Sequence, residues 1–381
     1  MPVYRAVPQS IGCSLAESAE GAAYKAWLQQ ESARAASEGH SPLHVIYINT
    51  SLETKAISSS IVPTITCTSS NVLQTLLQAA QDIPNLRVLY GPDTYMGENL
   101  VALLEVILNN AEWTDAKIAS DLHPAHSNAS LKKLKDNLVV FPQGNCVVHH
   151  MFGNEVVDTV KAQYYDEPNT FMTAHLEVPG EMFDIAMTKS LQDDGVVGST
   201  SDILNFITRK VKAAAATAAS DDDEAKRLRF VLGTEAGMVT SIVKNVQDIL
   251  GSTSSSSSSS SSSGVEAEII FPVSSEAVMS TEGDGELPIV PGVAGGCATC
   301  PFMKMNDLDA LQDIIDMVDQ GSDSSAMKLQ KHLPPDRLRG KSIEGVDAAE
   351  LGTEAILFMR KFMLGNGLPD ELVGKVTSFG K

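Results

Sequence analysis

Short apolar runs that close on Ser, Thr, Asn or Gly and give way to helical stretches recur along the chain. Residues 44–47 are rich in β-formers and end in Asn49-Thr50-Ser51, with a helical start at about Leu52. Residues 64–67 repeat the unit: Ser69-Ser70-Asn71 supplies a cap, and 72–80 continues as an amphipathic helix. A third strand at 86–90 leads through Gly91-Pro92-Asp93 to a helical run from Met96-Gly97, and a fourth at 138–141 leads to Gly144-Asn145-Cys146. Upstream, 17–36 has helical composition. Downstream, Leu308, Leu311, Ile314, Ile315 and Val318 recur at helical spacing, and two more helices are expected at 342–366 and 370–378. The stretch 105–137 is longer than a simple connection requires, which points to an insertion.

The second half repeats the order of the first. The strand expected at 170–175 answers 44–47, with Glu177 standing where Asn49 stands. Gly195-Val196-Val197-Gly198-Ser199-Thr200-Ser201-Asp202-Ile203-Leu204 answers Thr66-Cys67-Thr68-Ser69-Ser70-Asn71-Val72-Leu73. Residues 230–238 answer the third strand and its turn, and Ile269-Ile270-Phe271-Pro272 followed by Cys300 answers Val139-Val140-Phe141-Pro142 followed by Cys146. The offset is about 130 residues until a serine tract lengthens it. These correspondences imply a duplicated β–turn–helix unit, hence an α/β chain.

Composition narrows the function. A chain of 381 residues has room for two to three domains, and a formal charge of −20 argues against a polyphosphate partner such as nucleic acid. Five irregularly placed cysteines do not make a disulfide framework and suit a reducing compartment. No apolar run reaches the length of a membrane span. Met1-Pro2-Val3-Tyr4-Arg5 does not read as a signal or transit segment. Residues 251–264 are almost pure serine and are expected to form a disordered surface loop, and 220–224 an acidic, solvated turn.

Strands that end in Ser/Thr caps place N–H groups, hydroxyls and the positive end of a helix at one point. Thr68-Ser69-Ser70-Asn71 and Gly198-Ser199-Thr200-Ser201 are therefore either ordinary caps or two halves of a phosphate or carboxylate site. Cys146 and Cys300 close the two units and suggest a metal or iron–sulfur centre, the alternative being two buried thiols. A cluster asks for a third ligand. Cys297-Ala298-Thr299-Cys300 admits several meanings: redox dithiol, half of a zinc site, cluster ligand or packed cysteines. The redox reading fits poorly, because a glycine-rich loop precedes the pair and Pro301 follows it.

Taken together, several segments resemble the quinolinate synthase (NadA) family. They are Ile46-Tyr47-Ile48-Asn49-Thr50-Ser51, Cys67-Thr68-Ser69-Ser70-Asn71, Gly144-Asn145-Cys146-Val147-Val148-His149, His175-Leu176-Glu177, Val197-Gly198-Ser199-Thr200-Ser201, Gly233-Thr234-Glu235-Ala236-Gly237 and Cys300-Pro301-Phe302-Met303-Lys304. Pro63-Thr64-Ile65-Thr66-Cys67, Tyr90-Gly91-Pro92-Asp93-Thr94-Tyr95-Met96-Gly97 and Glu177-Val178-Pro179-Gly180-Glu181-Met182-Phe183 resemble its plant and algal branch.

The resemblance implies three similar three-layer α/β domains about a pseudo-threefold axis. Here 1–146 would be the second repeat with 1–40 as a leading segment, 147–300 the third, and 301–381 a C-terminal helical segment. It implies condensation of iminoaspartate with dihydroxyacetone phosphate to quinolinate in NAD biosynthesis, on a [4Fe-4S] cluster with one open iron. Cys146 and Cys300 match cluster ligands, with Cys297 a neighbour and Met303 packed nearby. Tyr47, His175 and Glu177 match catalytic groups. Asn49, Ser69, Ser199 and Thr200 match substrate-binding ones. His149 matches the family's Cys-x-Val-His segment in a supporting rather than ligating role. A disulfide between Cys297 and Cys300 would keep Cys300 from iron.

The family's first domain, with its own cluster cysteine, should precede Met1-Pro2-Val3-Tyr4. The chain therefore reads as starting at an internal methionine of a longer protein, Cys13 and Cys67 being non-ligand positions. Implied partners are L-aspartate oxidase or dehydrogenase as supplier and a SufE-like iron–sulfur assembly machinery. The implied compartment is the plastid, or the cytoplasm in the absence of a targeting segment. The alternative is an inactive α/β fragment that serves as a binding or regulatory module.

Overall fold

The computed structural model describes residues 13–217, 226–254, 264–272, 308–333, 338, 340–365 and 367–380. Two helices, α1 (Ser14–Glu20) and α2 (Ala22–Ser37), lead into β1 (Ser41–Tyr47), α3 (Leu52–Ile61), β2 (Thr64–Cys67), α4 (Val72–Asp82) and β3 (Leu86–Gly91). Then come α5 (Thr94–Asn109), α6 (Asp115–Asp121), α7 (Asn128–Asp136), β4 (Leu138–Val140), α8 (Val147–His150) and α9 (Asn154–Gln163). The second half runs β5 (Thr170–His175), α10 (Gly180–Ser190), β6 (Gly195–Gly198), α11 (Thr200–Thr217), β7 (Lys226–Gly233), α12 (Val239–Ser254) and β8 (Val265–Ile270). Last are α13 (Leu308–Gln320), α14 (Asp323–His332), a hairpin of β9 (Ser342–Ile343) and β10 (Val346–Asp347), α15 (Ala348–Leu364) and α16 (Asp370–Ser378).

Eight strands form two parallel sheets with the same order, β2-β1-β3-β4 and β6-β5-β7-β8. Helices cover the faces, so the central strands are buried on both sides and carry near-continuous apolar runs. In β1, Leu43, Val45, Ile46 and Tyr47 are all buried, and every residue of β5 is buried. The order reverses beside β1 and beside β5. In open parallel sheets the crevice outside the carboxyl ends at such a reversal is where ligands bind.

One hydrophobic cluster runs through both halves, joining Val45, Val88 and Tyr90 to Met172, Ala174 and Phe183. A second covers the far side of the β5–β8 sheet through Phe206, Ile207, Phe230 and Ile242. Asn99 on α5 ties the halves by donating its Nδ2 hydrogens to Leu176 O at 2.9 Å and Val178 O at 2.8 Å.

Several expectations change. The helix at 17–36 is broken at extended Gly21 into α1 and α2, since glycine is a poor helix interior residue. The long connection at 105–137 contains α6 and α7. Residues 251–254 belong to α12, which outruns the start of the serine tract, and 255–263 and 220–224 lie outside the described residues. Helix does not begin at Ser342. Glu344 (φ 53°) and Gly345 (φ 84°) turn a hairpin instead, and Asp347 then caps α15 by accepting the N–H groups of Ala349 and Glu350. Within the C-terminal helical segment, α15 packs on α3 and β2, and α16 on β1. Among the described residues no helix is long and apolar enough to cross a membrane.

Candidate active site

Tyr47 is the last residue of β1, and His175 is the last of β5 with Glu177 two residues on; the carboxyl ends of the two sheets face one another. The Tyr47 hydroxyl donates a short hydrogen bond to Glu177 Oε1. Glu177 N–H donates to His175 Nδ1 at 3.3 Å, which fixes that nitrogen as the unprotonated one. All three side chains are buried.

The third contribution comes from the loop after β4. Thr94 holds it: its N–H donates to Gly144 O at 2.6 Å, and its Oγ1 accepts Gly144 N–H at 2.9 Å and donates to Phe141 O at 2.9 Å. Gly144 must be glycine here, because a Cβ would lie 2.0 Å from Pro92 O. Cys146 follows as the N-cap of α8, a single turn that swings His149 inward. Tyr95 steadies the outer side of that turn, its hydroxyl 2.5 Å from His150 Nδ1.

His149 is buried, its ring stacked on that of His175 with centroids 5.0 Å apart and planes at 10°. Its Nδ1 lies 3.1 Å from Glu177 Oε2 but poorly aligned, so neither ring nitrogen has a hydrogen-bond partner. Ligand atoms of Cys146, His149 and Glu177 all fall within 4.8 Å of one another. A half-buried free thiol, a carboxylate and, once deprotonated, the His149 imidazole form a mixed S, N and O donor set suited to a soft or borderline metal centre.

The electrostatics divide the groups. Burial works against charge on Glu177, but the His149 beside it overrides this and holds the carboxyl down at about 2. Burial equally opposes charge on His149, and there too the pairing with Glu177 wins, raising it well above the ordinary histidine value. His175 is pulled down to about 4 by burial and is neutral. Burial, then the Glu177 charge, push Tyr47 well up and keep its proton on. Asp93, at the end of β3, caps α5 through Oδ1, which accepts Met96 N–H at 2.9 Å. Its Oδ2 is buried without a partner, and burial with the nearby Glu177 charge raises its pKa.

The expected residues separate into groups. Tyr47, Cys146, His149, His175 and Glu177 come together. Asn49 is exposed at the rim, in the turn after Tyr47, and Ser69 is half-buried after β2. Ser199 is engaged by its own helix: its N–H and Oγ donate to Asp202 Oδ2 at 2.8 and 2.7 Å, and Thr200 begins α11 behind it. That is a cap, and it occupies donors an anion would need. Cys67 is fully buried with its thiol pushed up by desolvation, as a non-ligand should be. Cys297, Cys300 and Met303 lie outside the described residues. Asp93 escaped sequence reasoning; the one available signal for it was its place just beyond the third strand.

The fold and site thus define an α/β protein with a metal-suited centre between the carboxyl ends of two parallel sheets. Residues 5–333 match the family described as Quinolinate synthetase A protein. The chain is 45% identical to the chloroplastic quinolinate synthase of Arabidopsis thaliana, over 99% of this chain and 51% of that protein. It is 44% identical to the chloroplastic quinolinate synthases of Nicotiana tabacum (98% and 50%) and of Oryza sativa subsp. japonica (98% and 52%). The chain belongs to the quinolinate synthase family. It spans about half the length of the curated relatives it matches. No solved structure matches it.

Proposed function

We propose that the chain carries the catalytic centre of a plastid quinolinate synthase, which condenses iminoaspartate with dihydroxyacetone phosphate and releases phosphate and water. The observation that carries this reading is the convergence of Tyr47, His149, His175 and Glu177 beside Cys146, at the place where the strand order of both sheets reverses. Family membership supports the reaction, and the chloroplastic relatives support the compartment. The repeated strand order supports reading the two sheets as two of three equivalent domains about a pseudo-threefold axis.

Cys146 and Cys300 would hold a [4Fe-4S] cluster with a thiolate of the family's first domain, Cys297 and Met303 being neighbours of Cys300 in sequence. When bound, the cluster supplies an open iron as Lewis acid toward a substrate carboxylate or hydroxyl. The protein's own groups handle protons. Held as a carboxylate by a pKa of about 2, with Oε1 accepting from Tyr47 and Oε2 facing His149, Glu177 orients those two proton carriers. Tyr47 and His149, on either side, hold protons for a departing hydroxyl. Asn49 at the rim and Ser69 after β2 bind substrate polar groups, with Thr200 at the start of α11. An aspartate oxidase or dehydrogenase would supply iminoaspartate, and a SufE-like machinery the cluster sulfur.

Anaerobic assay of quinolinate from the two substrates tests the reading. Glu177→Gln keeps the shape and removes the charge that orients Tyr47 and His149, and is expected to lower kcat about 10²- to 10⁴-fold. Wild-type turnover in that variant, or no quinolinate from the reconstituted natural protein, would contradict it.

A further inference from the structure

Lys55, on the first turns of α3, is only 1% exposed. Burying an ammonium is costly unless each of its three hydrogens finds an acceptor. All three do: Nζ donates to Ile48 O at 3.0 Å, to Thr50 O at 2.5 Å and to Thr50 Oγ1 at 2.8 Å. None of these partners is a carboxylate. A buried cation held only by the oxygens of one turn does little for the core that a methionine would not do better.

The geometry does account for the turn. Ile48 and Thr50 flank Asn49, and the ammonium grips the chain on both sides of it. Tyr47 O closes the same loop by accepting Thr50 Oγ1–H at 3.0 Å and Thr50 N–H at 3.3 Å. The Asn49 side chain is left exposed on a backbone that cannot shift without breaking contacts to Lys55.

We propose that Lys55 is a positioning residue of the substrate site, its ammonium bracketing Asn49 and fixing the carboxamide at the rim beyond β1. The proposal rests on the reading of Asn49 as substrate-binding and deepens it. Burial draws the Lys55 pKa down to about 8, which leaves the side chain mostly charged near neutrality.

Lys55→Met keeps the stem and removes the charge. Hydrogen exchange read by mass spectrometry should show residues 47–52 exchanging about tenfold faster or more, with α5 and the second sheet unchanged. Unchanged exchange at the turn overturns the proposal. In steady-state assays the variant should raise KM about tenfold to a hundredfold with kcat largely kept, because a misplaced contact weakens substrate binding. Combined with Asn49→Ala, it should add no further loss; additive losses would show that Lys55 acts elsewhere and overturn the proposal. If Lys55→Met fails to fold, Lys55→Gln, which keeps a polar head with two donor hydrogens instead of three, should give the same pattern at smaller size. Absence of quinolinate from the unmodified protein would overturn the proposed reaction, whereas the exchange result decides the clamp on its own.

Discussion

His44 sits uncharged inside the first sheet, and its hydrogen bonds fix the tautomer. Nδ1 lies 2.7 Å from Leu89 O, which can only accept, so Nδ1 donates and Nε2 accepts the Tyr24 hydroxyl at 3.1 Å. Burial lowers its pKa from 6.5 to about 4. Between those values the unfolded chain binds a proton that the folded one refuses. The stability is therefore whole above pH 6.5 and lost as pH falls through about 4, up to about 3 kcal/mol. Urea midpoints at pH 7 and 4.5 should differ more for wild type than for His44→Gln, and equal differences would refute the assignment. Residue type alone does not disclose such roles. Lysine is usually found at the surface and histidine is intermediate, and only tertiary packing buries Lys55 and His44. Tyr47, Cys146, His175 and Glu177 were singled out through the family resemblance of their segments; the closeness of His149 to Glu177 was not, since one follows β4, the other follows β5, and no local pattern pairs the two loops.

Among elements, the strands were the most legible. Expected strands at 64–67 and 170–175 coincide with β2 and β5, where β-branched or apolar runs buried on both faces leave little competing signal. The hairpin at Ser342–Asp347 was missed because two-residue strands are too short to show alternation, and Glu-Gly is a weaker turn signal than Asn-Gly. The loop before Cys146 is fixed by Thr94 and by the absence of a side chain at Gly144. Gly144→Ala would press a Cβ against Pro92 O and should cost about 1–3 kcal/mol in a thermal or urea melt. A variant as stable as wild type would mean that the loop is looser than its contacts imply.

At the scale of the whole molecule, the site exists only because two sheets of the same strand order bring their carboxyl ends together. Their alternation of strand and helix was readable, but nothing local in the chain shows which faces meet. Asn99 is one of the fastenings. Asn99→Leu leaves the buried carbonyls of Leu176 and Val178 without donors and should cost about 1–3 kcal/mol by urea unfolding. An unchanged midpoint would argue that the halves are held by apolar packing alone. The fold-back of α15 and α16 onto the first sheet was equally invisible, because an amphipathic helix does not name the surface it covers.

The central claim is that the centre between the sheets is an iron–sulfur site anchored by Cys146. The most direct measurement is the visible absorption of the natural protein after anaerobic reconstitution with iron and sulfide, beside its Cys146→Ser variant. The account predicts the broad absorption of a cluster in wild type and its loss in Cys146→Ser. Equal absorption in both, or none in wild type, would contradict it.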